Sequence, residues 1–370
     1  MLYEQLGRNV ELKRETIEAY LTALLQQKTH VLGLYVLGES SADRNIKSYG
    51  YGVPVRIDYE TAGHGRGSAV LHTIHPGPFG HEHMADRAQI LLSQHQAFNR
   101  MRSHVRSLDV GAFDRHGTLL SLGDVEELCL LTEYVEGEPY AHDLERIGVT
   151  NQAGEHDLAR ADALCDYLVD MHRVRVDRPG LYTRRIRELV GHGECVMGLT
   201  DAFPPDSLVT ARLLEEIEHR FVAWRWRLKP LTHRLREVHG DFHPWNILFG
   251  PDGTLRTLDR SRGEFGEPAD DVACLTINYL FFSIRRFGKL EGGFEALFRG
   301  FWERYLERSG DAEMLKVVAP FFAFRGLVLM NPLWYPNLPD SVRSKLLAFT
   351  LAVLNSPGFD PTRVNDYCAS

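Results

Sequence analysis

The chain has 370 residues, of which 44% are hydrophobic and 25% charged, so it is long enough for two domains and has a globular composition. Its formal net charge of −8 argues against a general nucleic-acid-binding protein, which would usually be basic. No apolar run is long enough to span a membrane, and the first residues lack the apolar stretch of a signal peptide. The five widely spaced cysteines predict reduced, mostly structural thiols. We therefore expect a cytoplasmic protein that binds neither nucleic acid nor membranes.

The first third of the sequence is rich in predicted strands. Apolar residues at helical spacing predict one amphipathic helix before them, and alternation of apolar and polar residues predicts the strands. Glycine and proline at 136–139 then break the pattern. In chain order, the predicted elements are a helix around 17–25, strands at 52–60 and 68–74, a helix at 82–101 and a buried strand at 127–134.

Long helical patterns dominate the rest of the chain. Between two of them, residues 238–262 are rich in glycine and have the character of short strands and loops. A strand-rich first third followed by a helical remainder predicts an α+β protein of two lobes, with the boundary at Glu136. The predicted helices of the second lobe cover 156–172, 209–228, 271–287, 294–308 and 341–354.

The segment 239–249 carries the chemistry and reads His-Gly-Asp-Phe-His-Pro-Trp-Asn-Ile-Leu-Phe. Asp241 and Asn246 are five residues apart on a tight loop and can face one cavity. The apolar strand that follows fixes this loop, and a hairpin return brings Asp259 alongside. Two carboxylates and one amide oxygen suit a hard cation such as magnesium and suit zinc poorly. Phosphoryl transfer from a nucleotide needs such a cation, and it needs a carboxylate beside the attacking hydroxyl.

This segment resembles the signature of the aminoglycoside-phosphotransferase and choline-kinase family, in which His-Gly-Asp is followed after four residues by Asn. The resemblance implies a two-lobed protein-kinase-like fold, with residues 1–136 binding the nucleotide and residues 137–370 carrying the catalytic and acceptor-binding groups. It would make Asp241 the catalytic base, with Asn246 and Asp259 as magnesium ligands.

The stretch 266–273 looks like the Gly-x-Pro-x-x-Asp-Leu-Ala segment of the same family. The resemblance implies that Asp271 supports the catalytic loop from behind and that His239 is a second support. The alternative for the whole region is an ordinary β-hairpin turn with two turn histidines. A zinc site built on His239 and His243 is a weaker rival, because Gly240 and Pro244 oppose the helix that would align both rings.

A glycine turn in the first lobe is the candidate nucleotide loop. Gly50, Gly52 and Val53 lie where the family has its phosphate-binding turn, although a plain hairpin turn fits equally well. The family's strand lysine is missing, because no lysine occurs between Tyr51 and Glu136. With Val70 facing the adenine, alternation directs His72 towards the phosphates. The alternative for His72 is a half-buried strand histidine.

The run at 130–137 resembles the passage between the lobes whose backbone binds the adenine edge in these kinases. The resemblance places these nucleotide contacts at Glu133, Tyr134 and Val135. The alternative is a buried edge strand that ends in a turn.

Aminoglycoside kinases bind polycations, which predicts an acidic acceptor pocket. Here arginines follow Asp259 instead, and the possible acceptor-binding residues are Arg260, Arg262 and Glu264. If either arginine faces the cleft, the acceptor is a neutral sugar or an anionic metabolite. The alternative is that these arginines pair with neighbouring carboxylates.

The leading hypothesis is a phosphotransferase that uses ATP or GTP with magnesium and acts on a hydroxyl group of a small molecule. The absent lysine favours a second hypothesis, a non-catalytic nucleotide-binding module similar to a pseudokinase. The intact set of Asp241, Asn246 and Asp259 disfavours it. A third hypothesis is a kinase fold that transfers another group, such as AMP.

Overall fold

The computed structural model describes residues 12–37, 52, 54–63, 65–77, 79–205 and 207–369. The chain divides into an N-terminal unit, Met1–Thr132, and a C-terminal unit, Glu133–Ser370. This division falls just before the break at Glu136, and the lobe boundary at that residue stays a prediction. Among the described residues, no helix is long and apolar enough to cross a membrane.

The N-terminal unit contains an antiparallel sheet of three strands in the order β1-β2-β3. Helix α1 packs against it because Ile17 and Leu21, four residues apart, share one face and are buried with Val31, Val55 and Ile57. The elements of this unit are α1 (Arg14–Leu25), β1 (Thr29–Val36), β2 (Val55–Thr61), β3 (Gly65–Leu71), α2 (Met84–Arg100), β4 (Gly111–Phe113) and β5 (Leu119–Ser121).

One strand predicted for this part of the chain is wrong. Residues 127–134 were expected to form a buried strand, but they have no regular secondary structure. Leu130, Leu131 and Tyr134 are 89%, 95% and 92% exposed. No described strand pairs with this run, so its apolar side chains lack the neighbouring surface that would bury them. The predicted helices and strands before it are confirmed with small shifts of their ends.

The C-terminal unit is mostly helical and holds the larger core. Its strands form two small antiparallel sheets, β6-β8-β9 and β7-β10. Its elements are β6 (Glu138–Pro139), α3 (Tyr140–Thr150), α4 (Glu155–His172), α5 (Pro179–Gly191), α6 (Val196–Asp201), α7 (Ala211–Leu228), β7 (Arg236–Glu237), β8 (Ile247–Phe249), β9 (Leu255–Thr257), β10 (Phe265–Gly266), α8 (Pro268–Phe287), α9 (Gly292–Ser309), α10 (Met314–Val317), α11 (Ala319–Met330), α12 (Asp340–Asn355) and α13 (Val364–Tyr367).

Helix α8 lies at the centre of this core and contacts α3, α9, α11 and α12. It is buried on nearly all sides, as expected of a helix that is apolar around its circumference. Pro268 stands in its first turn, where proline lacks only an amide that would be unpaired anyway, and the side chain of Glu267 accepts the amide of Ala269. The strand-bearing first unit and the helical second unit confirm the predicted α+β class.

Candidate active site

A hairpin in the C-terminal unit brings two predicted metal ligands together. Strands β8 and β9 pair antiparallel with Ile247 opposite Thr257. One residue further out, the amide of Leu258 donates to the carbonyl of Asn246 at 2.9 Å. Asp259 follows directly, so it lies beside Asn246 at the open end of the hairpin.

Asp271 holds the loop that leads into this hairpin. Its carboxylate is fully buried in the first turn of α8 and accepts the amide of His239 at 2.8 Å and the amide of Gly240 at 2.7 Å. Gly240 has φ +85°, a left-handed conformation that favours glycine. Because Asp271 contacts backbone amides, it fixes the path of the chain into Asp241.

Hydrogen bonds from His172 and, through it, from Tyr305 fix Asp271 itself. His172 Nε2 lies 3.2 Å from the Asp271 carboxylate, and His172 Nδ1 lies 2.8 Å from the hydroxyl of Tyr305. Burial alone would raise the pKa of Asp271, but the hydrogen bonds from His172 and from the His239 amide hold that pKa below its ordinary value. The carboxylate therefore stays ionised, which suits an acceptor of several N–H groups.

Asp241 lies at the centre of the loop with its side chain 18% exposed. Its amide lies 3.3 Å from His239 Nδ1, and its carbonyl accepts the side-chain amide of Asn246 at 3.1 Å. That second bond uses the nitrogen of Asn246 and leaves its amide oxygen as the atom suited to a cation. Oδ2 of Asp241 lies 3.7 Å from His243 Nε2. The loop thus presents one carboxylate oxygen beside an imidazole.

Cationic side chains surround the Asp241 carboxylate. Arg325 of α11 donates to Oδ1, and the positive charge of Arg262 also lowers the pKa of Asp241. Burial alone would raise the pKa of Asp241, but these guanidinium groups hold it below its ordinary value. Burial would lower the pKa of Arg325, yet the carboxylates of Asp270 and Asp241 raise it, so the guanidinium stays charged. Asp241 is therefore ionised near neutral pH.

Arg325 and Asp270 were not among the site residues predicted from sequence. The signal that could have found them is a single arginine within the apolar run of α11, because a buried guanidinium needs a carboxylate. Asp270 is one such carboxylate, at 2.6 Å from the Arg325 guanidinium. The motif compared with residues 266–273 leaves position 270 open, and the acid that it specifies matches Asp271.

The oxygen donors at the hairpin fit a magnesium ion better than zinc. Asp259 is exposed and has φ +54°, a left-handed conformation that aspartate tolerates. Magnesium usually takes only one or two protein oxygens and completes its shell with phosphates and water. Within the described ranges, no group of three or more His, Cys, Asp or Glu residues could hold a metal by itself. The ring nitrogens of His239 and His243 lie near backbone amides, and burial lowers the pKa of both rings.

The two arginines proposed for acceptor binding differ in their surroundings. Arg260 donates to the carbonyls of Val238 at 2.9 Å and Glu264 at 3.0 Å and pairs with Glu237 at 3.0 Å. It therefore fastens the segments on either side of the loop. Arg262 is half-buried and lies over the ring of Phe324 at 5.1 Å. Its positive charge lowers the pKa of Asp241.

Glu264 has an exposed side chain, and its carbonyl oxygen also accepts the amide of Val238.

Three of the nucleotide residues predicted in the N-terminal unit are described, and they lie in or beside β3, an edge strand of the sheet. A Cβ added to Gly52 would come 1.8 Å from the carbonyl oxygen of Thr73, so only glycine fits this close approach. Gly52 therefore lies beside the end of β3, next to His72. Val70 and His72 are both exposed, as the predicted alternation requires, whereas a half-buried histidine was the alternative. Gly50 and Val53 lie outside the described residues.

The segment predicted to contact adenine is largely exposed. Glu133 and Tyr134 are exposed, and Val135 is half-buried. Their role in nucleotide binding stays a prediction.

A strand-bearing unit followed by a helical unit with this loop is the arrangement of a protein-kinase-like phosphotransferase. The chain belongs to the phosphotransferase enzyme family, whose sequence profile matches residues 61–308, more than half of the chain. The predicted family and its protein-kinase-like fold are thereby confirmed. The matched region contains Asp241, Asn246, Asp259 and Asp271 but ends before Arg325.

Solved structures similar to this chain include three structures of small-molecule kinases. A glucosamine kinase in complex with glucosamine, ADP and inorganic phosphate is 20% identical, with 62% of each chain covered and a TM-score of 0.40. Another glucosamine kinase crystal form is 15% identical over 94% of this chain and 99% of that chain, with a TM-score of 0.42. The choline kinase LicA from Streptococcus pneumoniae is 13% identical over 92% and 98%, with a TM-score of 0.35. This chain spans 62% of the length of the glucosamine kinase that was solved with glucosamine and ADP. A comparison with curated protein sequences gave no match.

Proposed function

We propose that this protein is a magnesium-dependent phosphotransferase that uses ATP or GTP and acts on a hydroxyl group of a small molecule. The observation that carries the proposal is the loop at Asp241. The buried carboxylate of Asp271 holds its backbone, and the bonds of Asn246 to the carbonyl of Asp241 and to the amide of Leu258 support a common site for Asp241, Asn246 and Asp259. Phosphoryl transfer requires mainly positioning and charge stabilisation, and this arrangement supplies both.

In the proposed reaction, Asp241 Oδ2 accepts the proton of the acceptor hydroxyl. The hydroxyl oxygen forms a bond to the γ-phosphorus, the bond from that phosphorus to the β-phosphate oxygen breaks, and the nucleoside diphosphate leaves. The amide oxygen of Asn246 and the carboxylate of Asp259 would hold magnesium, which neutralises charge on the phosphates. Gly52, Val70 and His72 would contact the nucleotide, together with the backbone at Glu133–Val135.

The proposed acceptor is a neutral sugar or an anionic metabolite rather than a polycation. A polycation would need unpaired carboxylates near Asp241. Two carboxylates beside the loop are already engaged, because Asp270 pairs with Arg325 and Glu237 pairs with Arg260. Arg262 adds positive charge on the same side. Electrostatics around the loop therefore disfavour a cationic acceptor.

Nucleotide binding tests the metal site. Saturating MgATP is expected to raise the unfolding midpoint of the wild type, because a ligand at a hundredfold its Kd adds about 2.7 kcal/mol of stability. Asp259→Ala is expected to lose most of this shift. The measurement is thermal unfolding with and without MgATP, repeated with MgGTP. Asp252→Ala is the matched control, since Asp252 is exposed in the turn of the same hairpin and should keep the shift. Equal shifts in all three proteins would refute the metal site.

One observation favours a second candidate function, a nucleotide-binding module without catalysis. The family's strand lysine is absent, and the exposed His72 stands at the corresponding place. A neutral imidazole contributes little against the charge of a triphosphate. A screen of sugars and anionic metabolites for ADP formation distinguishes the two functions. Nucleotide-dependent stabilisation without turnover on any acceptor would support the second.

His72→Lys is expected to strengthen MgATP binding about fivefold. One added charge near a phosphate is worth about 1 kcal/mol in water. The measurement is the Kd of MgATP by titration calorimetry. Ser68→Lys is the control, because Ser68 lies on the exposed face of the same strand four residues earlier. An equal gain in the control would show a general charge effect, and no gain in His72→Lys would contradict the predicted placement of this side chain.

A further inference from the structure

Helix α11 contains a buried charge that the family motif does not explain. Its sequence, Ala319–Met330, is apolar except for Arg325, whose side chain is only 5% exposed. An isolated guanidinium in such a place would be very costly, so its partners determine what it does.

The guanidinium group of Arg325 has three partners. Nε and one terminal nitrogen donate to Asp270 Oδ1 at 3.1 and 2.6 Å. The same terminal nitrogen donates to the carbonyl of Gly240 at 2.9 Å. The other terminal nitrogen donates to Asp241 Oδ1. A planar guanidinium group that donates hydrogen bonds to two carboxylates and one backbone carbonyl has little freedom to rotate.

These contacts leave the two oxygens of Asp241 in different situations. Oδ1 is bound by Arg325, and the thiol of Cys274 lies 3.9 Å from it in the buried interior. Oδ2 is the oxygen near His243, whose ring is partly exposed. Turning the carboxylate away from Arg325 would separate a buried ion pair, which is strongly unfavourable, and a half-turn would only exchange two equivalent oxygens. Oδ2 is thus the oxygen presented on the open side of the loop.

We propose that Arg325 is a positioning residue that orients the carboxylate of Asp241 so that Oδ2 faces the acceptor hydroxyl. Asp270 anchors the guanidinium from the other side, and the contact with Gly240 ties it to the loop backbone. The proposal rests on the proposed function only for the role of the acceptor hydroxyl. The orientation of Asp241 can be tested without any activity.

The test removes Arg325 and Asp270 together, so that neither is left as a buried charge, and Asp241 keeps Arg262 and His243 beside it. Crystal structures of the wild type and of the double variant Arg325→Met, Asp270→Asn are compared. The carboxylate of Asp241 is expected to leave its wild-type rotamer in the double variant. ADP formation, with water or with an acceptor found by screening, is expected to fall about 100-fold, since small misplacements have effects of this size. The KM for MgATP should stay within about twofold.

Arg343→Met is the matched control. Arg343 is 6% exposed, and it donates to the backbone carbonyls of Met330 and Tyr335 rather than to the loop. Its loss is expected to lower stability and to leave the orientation of Asp241 and the turnover unchanged. Arg325→Lys keeps a charge but cannot serve all three partners, so we expect it to retain about a tenth of wild-type turnover.

An unchanged Asp241 rotamer in the double variant overturns the proposal, and so does wild-type turnover. If the double variant does not fold, the structure of Arg325→Lys decides: a displaced carboxylate supports the proposal and an unmoved one refutes it. A wild type that neither binds MgATP nor forms ADP refutes the proposed function instead. The comparison of crystal structures still decides whether Arg325 orients Asp241.

Discussion

Replacing Asp241 by Asn is expected to lower the rate of ADP formation by a factor of about 10² to 10⁴, the usual contribution of a positioned proton acceptor. The amide has nearly the shape of the carboxylate, and its oxygen can still accept the hydrogen bond from Arg325. Asn246 and Asp259 are untouched, so the Kd of MgATP should stay within about twofold. A coupled assay of ADP formation and titration calorimetry measure the two quantities.

Asp252→Asn is the control for this substitution. Asp252 has an exposed side chain in the turn of the hairpin that follows the loop, and its replacement also removes one negative charge. We expect turnover to change little, because its carboxylate accepts the amide of Thr254 within that turn. Turnover of Asp241→Asn within threefold of the wild type would exclude Asp241 as the proton acceptor.

Asp271→Asn is expected to lower the free energy of unfolding by about 3 kcal/mol or more at pH 7. The fully buried carboxylate accepts two backbone amides and pairs with His172. An Asn side chain has only one acceptor oxygen, so its NH₂ group would face one of these donors and leave it unsatisfied. Denaturant unfolding at pH 7 measures the difference.

The same variant gives a prediction about pH. The pKa of Asp271 is lowered in the folded protein, so its carboxylate contributes stability above its unfolded pKa of about 3.9. That contribution is lost as the pH falls through the folded pKa. The difference in unfolding free energy between the wild type and Asp271→Asn should therefore be complete at pH 7 and shrink below about pH 4. A difference that stays constant down to pH 3 would contradict this.

The loop could be predicted from sequence because its chemistry is local. Asp241, Asn246 and Asp259 lie within 19 residues, and a hairpin with a glycine turn is enough to bring them together. The support from Asp271 needs one further contact, which the family resemblance supplied. Helices α4, α7, α8, α9 and α12 were predicted because their apolar periodicity is long and clear.

Features that depend on distant contacts could not be predicted. Arg325 is 84 residues from Asp241, and periodicity contains no information about such a pair. Strand β1 was missed because apolar Leu32 and Tyr35 stand on its exposed face, so the sequence shows no alternation of apolar and polar residues although burial alternates. An apolar run at 127–134 indicates a buried strand only if a partner covers it, and sequence alone does not show whether one does.

The residues that hold the loop, Asp271 and Arg325, form most of their hydrogen bonds to it with its backbone rather than with its side chains. Asp271 binds the amides of His239 and Gly240, and Arg325 binds the carbonyl of Gly240. Such bonds do not depend on which side chains the neighbouring positions carry, except at Gly240, where the left-handed φ restricts the choice. The protein therefore combines a constrained reaction centre with surroundings that are free to vary. Under the proposed function, a lineage with this loop can change its acceptor through nearby substitutions without rebuilding the groups at Asp241, Asn246 and Asp259.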